Sequence, residues 1–228
     1  GIVKDPETAS LLAPDYHLGG KRLCVDTGYF ETFNKSNVHL IDLKENPIKN
    51  ITTDSIESDR VYDIDTLILA TGFDAMTGAL TSIDISGRDS IKLKDQWESG
   101  AKSYLGIGIA NFPNLFTVTG PGSPSVLSNM MPSIEQHVNW ITGCIEWMIK
   151  NNKEVIESSK TAEDDWMVLV NEIADTTIFT DTKSWYNGSN IEEKAKAFLP
   201  FIGVPVYTEM LEEIVSEDYK GFIFDKAN

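Results

Sequence analysis

The chain has 228 residues, 41% hydrophobic and 10% aromatic, enough to bury a full core. Its 19 basic and 35 acidic residues give a formal charge of −16, which argues against a nucleic-acid partner or an anionic membrane surface, since both rest on clustered Lys and Arg. Two cysteines, Cys24 and Cys144, make no disulfide framework and point to a reduced, cytoplasmic setting, and no apolar run reaches the ~20 residues of a membrane helix.

The opening GIVKDPETASLLAPDY carries no secretory pattern and reads as the interior of a longer sequence. From 21 to 70, short apolar runs at 23–25, 38–43, 48–51 and 67–70 alternate with turns, which predicts strands with little helix between them. The last run is the most informative. Leu67-Ile68-Leu69-Ala70 breaks abruptly into Thr71-Gly72-Phe73-Asp74, the pattern of a strand buried on both faces in a parallel sheet. In such α/β sheets ligands sit beyond the carboxyl ends of the strands, where Thr71 and Gly72 fall.

Residues 87–104 are polar and predict loop. A second buried strand is expected at 115–118, running into Gly120-Pro121-Gly122-Ser123-Pro124-Ser125, a turn-rich entry to a helix. Glycines there allow close backbone approach, and free N–H groups ahead of a helix favour negative charge. Three helices follow. Ile134, Val138, Ile141, Ile145 and Met148 recur at helical spacing. Thr161 with Asp164 reads as a capping box for a helix that buries Trp166, Val170 and Ile173. In that first turn, the acidic run Glu163-Asp164-Asp165 reads as structural charge favoured by the helix dipole. Thr208 reads as the cap of the third, with Leu211, Ile214 and Val215 inside and Gly221 beyond its end. His17, His39 and His137 have no metal-ligand spacing, and His137, bordering an apolar face, reads as a packed or helix-surface histidine. Ser123, Ser125 and Ser128 lack the GxSxG elbow of a hydrolase.

Five segments, LGGKRLCVDTGYFETFN, ATGFDAMTGAL, TGPGSPSVLSNMMPSIEQHVNWI, SWYNGSN and YKGFIF, together resemble Baeyer–Villiger monooxygenases, in the family's order and from about Asp5 to Phe224. The resemblance implies an α/β, partial two-dinucleotide-domain flavoprotein. Residues 1–70 would finish an NADP-binding domain and 71–228 an FAD-binding domain. The family's two GxGxxG turns and its FxGxxxHxxxW fingerprint do not occur in these 228 residues. The chain is therefore expected to need the N-terminal FAD/NADP part, in cis or in trans, to bind FAD and NADPH tightly and to oxidise a small ketone. Surface left bare by that part would favour self-association.

The resemblance also implies site residues. Arg22 would face the flavin, stabilising the anionic oxygen that attacks the ketone and the anionic adduct that follows, while Lys21 holds the NADP phosphate. A guanidinium suits this task because it stays protonated and offers a planar fork of donors. Thr71, Gly72, Asp74, Asn129 and Met130 would contact cofactor. Ser123, Ser125, Val126 and Leu127 would line the substrate pocket. Trp185 would reach the nicotinamide ribose from a moving loop, although Glu192-Glu193-Lys194-Ala195-Lys196-Ala197-Phe198 departs from the family's GKPRVF. Two other readings stand beside this one: an inactive truncated piece acting as scaffold or interaction module, and an N-hydroxylating flavin monooxygenase.

Overall fold

Chain contacts divide the computed structural model into two compact units, Gly1–Gly72 and Phe73–Asn228, and residues 1–124, 128–189, 191, 195–196 and 202–226 are described. In the first unit, α1 (Pro6–Leu11) begins where Asp5 accepts a hydrogen bond from the Thr8 N–H at 2.8 Å and Pro6 presets the first turn. A single turn, α2 (Tyr29–Thr32), follows. Then β1 (Asn50–Ile51), β2 (Ser55–Glu57) and β3 (Val61–Asp63) form an antiparallel meander with Ile56 between Ile51 and Tyr62.

The strands expected at 23–25, 38–43 and 67–70 do not form, and of 48–51 only Asn50 and Ile51 pair. Val25 is 99% exposed and Ile68 83%. An apolar run becomes a strand only when neighbours take up its N–H and C=O groups. Among the described residues no strand flanks 67–70. Its hydrophobicity marks a surface that this unit leaves uncovered.

The second unit holds two short helices, α3 (Gly78–Thr81) and α4 (Leu93–Gln96), and three long ones, α5 (Met130–Lys150), α6 (Lys160–Asp175) and α7 (Val204–Ser216). β4 (Val155–Ser158) pairs antiparallel with β5 (Phe222–Asp225), Ile156 opposite Phe224. The content is mixed α/β, as expected, and both sheets are antiparallel. The main core gathers Trp140 and Cys144 of α5, Trp166 and Val170 of α6, and Tyr207 and Leu211 of α7. A smaller core of Leu93, Trp97, Ile109 and Phe112 gives the polar stretch 87–104 more order than its composition suggests. No helix among the described residues is long and apolar enough to cross a membrane.

The long helices correct the sequence reading in detail. On α5 the buried face is Ser133, His137, Trp140, Cys144 and Met148, whereas Val138 and Ile145 are more than 40% exposed. A shift of one residue rotates a helix face by about 100°. The face turned because His137 and Trp140 found aromatic partners in Tyr207 and Tyr219, which outweighs the small gain from burying Val138. α6 is capped by Ser159, whose hydroxyl accepts from the Ala162 N–H at 3.1 Å, rather than by Thr161 with Asp164. α7 starts a turn before Thr208, whose hydroxyl donates back to the Val204 carbonyl at 2.8 Å, and Val215 is 40% exposed. At 115–118 only Phe116 pairs, through a single bridge to Gly108.

Candidate functional site

The turn expected to meet a ligand is built from two backbone crossings that pack on each other. The Thr117 N–H donates to the Ile107 carbonyl at 2.8 Å, and the Gly120 N–H to the Gly106 carbonyl at 3.2 Å. A Cβ on Gly106 would lie 2.5 Å from the Ser123 Cβ, and one on Gly120 would lie 2.4 Å from the Thr117 hydroxyl oxygen. These glycines are thus required by the chain's approach to itself, with Gly106 also at φ 73°.

Three carbonyls of the turn are tied inward. Gly120 accepts from the Ser123 hydroxyl at 2.8 Å, Pro121 from the Ser103 hydroxyl at 2.5 Å, and Gly122 from the Trp166 indole N–H at 3.0 Å. The Thr119 N–H donates to His137 Nδ1 at 3.0 Å, and the Ser123 N–H to the Gly120 carbonyl at 3.1 Å. The N–H groups of Gly120 and Ser123, in the segment read from sequence as offering free donors to an anion, are therefore committed, as is that of Thr119. Asn129 caps α5, its side chain accepting from the Met131 N–H at 3.1 Å, and Met130 begins the helix half-buried. Ser123 is buried within the turn. Ser125, Val126 and Leu127, expected to line a substrate pocket, lie outside the described residues.

Two carboxylates hold the neighbouring segment. Glu163 is fully buried and accepts from the Ala110 N–H at 3.0 Å, while Glu157 accepts from the Asn111 N–H at 2.8 Å and pairs with Arg88 at 2.5 Å. Glu163 is therefore no solvated dipole charge. Burial raises its pKa above the usual carboxylate range, and its second oxygen has no hydrogen-bond partner among the described residues.

Trp185 sits half-buried in a knot that sequence did not foretell. The buried Asn187 donates to the carbonyls of Phe179 (2.8 Å) and Thr182 (3.2 Å) and accepts from the Ser189 N–H (3.1 Å) and hydroxyl (2.6 Å). The Ser184 hydroxyl accepts from the Tyr186 N–H at 3.2 Å. Its one legible signal was the Asn-Gly dipeptide, which favours the left-handed turn found at Gly188, φ 73°. Asn190, Glu192, Glu193, Lys194, Ala197 and Phe198 lie outside the described residues.

The remaining candidates lie around the division of the chain. In the first unit, Lys21 is half-buried with its ammonium 4.3 Å from the Tyr16 ring centroid, and Arg22 is exposed. Among the described residues no hydrogen bond or ion pair engages the Arg22 guanidinium. Thr71 and Gly72 are exposed, the latter at φ 81°. In the second unit, the Asp74 side chain folds over α3, where a Cβ on Gly78 would lie 2.5 Å from it. His17 and His39 are exposed, and no group of His, Cys, Asp and Glu among the described residues could hold a metal ion.

No family model matches the chain. Known proteins do. It is 40% identical over 224 residues, 97% of this chain and 41% of the relative, to the cyclohexanone 1,2-monooxygenase of Acinetobacter sp.. It is also 40% identical over 225 residues, again 97% of this chain and 41% of the relative, to the phenazine N-monooxygenase PhzNO1 of Lysobacter antibioticus. A solved oxidised steroid monooxygenase bound to NADP superposes with a TM-score of 0.88 at 39% identity, covering 99% of this chain and 42% of that one. The chain thus matches flavin monooxygenases of the Baeyer–Villiger type over nearly all its length and spans about two-fifths of theirs.

Proposed function

We propose that these residues form part of an FAD- and NADPH-dependent Baeyer–Villiger monooxygenase that converts a small ketone to an ester or lactone with O2. On this reading residues 1–70 complete an NADP-binding domain, and 71–228 an FAD-binding domain, in a protein of the reduced cytoplasm. The observation that carries it is a match running through both units at 40% identity to a cyclohexanone monooxygenase. The second of the two relatives at that identity oxidises a phenazine nitrogen, so an N-oxygenating activity is the second reading.

The residues present fit part of a flavin and not the whole. The Gly120–Ser123 turn is filled by its own side chains and three of its carbonyls point inward, so it does not cradle a pyrophosphate. A rigid, preformed turn of this kind does suit the edge of a flat ring. FAD, reduced by NADPH, would supply the activation of O2. Arg22, exposed and unengaged among the described residues, is positioned in sequence beside Lys21 to place a fixed positive fork on the developing oxyanion. Lys21 would meet a nucleotide phosphate. Trp185, in the segment knotted around Asn187, would reach the nicotinamide ribose. Thr71, Gly72, Asp74, Asn129 and Met130 would each contact cofactor, and Ser123, Ser125, Val126 and Leu127 substrate, as the resemblance implies.

The test is reconstitution. The purified 228-residue chain is expected to show no stoichiometric flavin absorbance after desalting, because no phosphate-holding turn occurs in its sequence. Joined to the GxGxxG-bearing part, in one chain or co-expressed, it should consume NADPH in proportion to ester formed from cyclohexanone. Ester-free turnover with an N-oxide formed from a phenazine would replace this reading with the second. Neither product from a fully flavin-loaded assembly would leave only the scaffold.

A further inference from the structure

His137 is the most deeply buried of the three histidines, 1% exposed, and no part of the proposed chemistry uses it. Its two ring nitrogens have different kinds of partner. Nδ1 lies 3.0 Å from the backbone N–H of Thr119, a group that only donates. Nδ1 must then present a lone pair, and the imidazole proton must sit on Nε2. Nε2 lies 2.9 Å from the Tyr207 hydroxyl, which itself lies 2.6 Å from the Leu105 carbonyl, a group that only accepts. One arrangement of protons satisfies all three contacts, with the Thr117 backbone also close enough to the ring to favour its protonated form against the stronger effect of burial. Nε2–H donates to the Tyr207 oxygen, Tyr207 O–H donates to the Leu105 carbonyl, and Thr119 N–H donates to Nδ1. A second ring proton, on Nδ1, would break the contact with the Thr119 N–H. Burial holds the imidazole pKa down, to about 4, which keeps the ring neutral at working pH, and burial likewise raises the Tyr207 pKa and keeps that hydroxyl protonated.

The chain this defines ties four places together. Thr119 enters the Gly120–Ser123 turn, His137 belongs to α5, Tyr207 to α7, and Leu105 precedes Gly106, on which the turn rests. Ser103 and Trp166 hold the turn's carbonyls from the same side. Of these side chains His137 alone grips an N–H, and so fixes the direction in which the peptide between Val118 and Thr119 faces.

We propose that His137, locked as the Nε2–H tautomer between Thr119 and Tyr207, is a positioning residue for the turn at 119–123. This rests on the reading of that turn as the flavin-side wall of a monooxygenase. His137 acts through the turn's backbone, by its contact with the Thr119 N–H.

Two substitutions separate positioning from packing. In His137→Asn the amide oxygen falls near the place of Nδ1 and keeps an acceptor for Thr119, while in His137→Gln the amide reaches the place of Nε2 and leaves Thr119 without one. In the 228-residue chain, long-range 15N–1H correlation of wild type at neutral pH should show an unprotonated Nδ1 and a protonated Nε2. A proton on Nδ1 overturns the proposal, even if neither variant folds. Hydrogen exchange should show the Thr119 amide protected in wild type and His137→Asn and open in His137→Gln; equal protection in the two variants also overturns it. In the reconstituted flavoprotein, His137→Gln should lower kcat by about the hundredfold that a misplacement of roughly 1 Å costs, at little-changed KM, with most of the loss recovered in His137→Asn. Equal losses in both variants would make His137 a packing residue. An assembly with no oxygenase activity in any form would refute the function while the tautomer and exchange results still decide His137's place.

Discussion

Trp166→Phe tests whether the turn is clamped from inside the core. Trp166 is 4% exposed, and its indole N–H donates to the buried Gly122 carbonyl at 3.0 Å. Phenylalanine keeps most of the apolar contact and removes only the donor and one ring. A buried carbonyl left without its partner costs about 1–3 kcal/mol. The lost ring leaves a void of roughly 40 Å3, which at about 24 cal/mol per Å3 adds about 1 kcal/mol. Together they predict a loss of about 2–4 kcal/mol, a large share of the ~5–15 kcal/mol that holds a typical domain. Urea unfolding followed by far-UV circular dichroism would measure it, as a lower midpoint at unchanged slope. Trp147→Phe is the control, because that indole donates at 3.3 Å to Asp218, an exposed carboxylate that water can satisfy. Its loss should stay below about 1 kcal/mol. If Trp166→Phe costs no more than Trp147→Phe, the clamp on Gly122 does not exist.

Glu163→Gln tests the buried carboxylate by its pH dependence. With its folded-state pKa raised by burial, the folded chain holds this proton more tightly than the unfolded one, so Glu163 supports stability in acid and loses that support as pH rises through the folded value. The variant should therefore gain on wild type as pH rises above the ordinary carboxylate range, and a gain that shrinks with rising pH in urea midpoints refutes the assignment. Arg22→Ala in the reconstituted enzyme should leave flavin bound and NADPH oxidised, with ester formation down about a hundredfold and hydrogen peroxide formed instead. Arg22→Lys should recover little, lacking the fork, and near-normal ester formation by Arg22→Ala in stopped flow removes Arg22 from the mechanism. Met131, Val138, Ile145 and Ile149 expose one apolar line along α5, so the 228-residue chain alone should scatter light as dimers or larger. A clean monomer counts against an uncovered interface.

The sequence alone carried what depends on local pattern. The mixed α/β content, the three long helices and the flavin-monooxygenase resemblance all follow from helical spacing, turn residues and five motifs in order. Helix faces and caps did not follow, because they depend on which side chains find partners across the core. His137 reads as marginal by hydropathy and is buried because Thr119 and Tyr207 satisfy both ring nitrogens. Glu163 reads as a first-turn charge favoured by the helix dipole, and is buried because Ala110 offers an N–H 53 residues away. Asn187, given no role by the sequence, becomes the centre of a knot. The run at 67–70 reads as a buried strand, and lies exposed because a strand is completed by its neighbours' hydrogen bonds rather than by its own hydrophobicity. Periodicity records how a segment prefers to fold, while long-range pairing of polar groups decides which face turns inward and what the turn at 119–123 can hold.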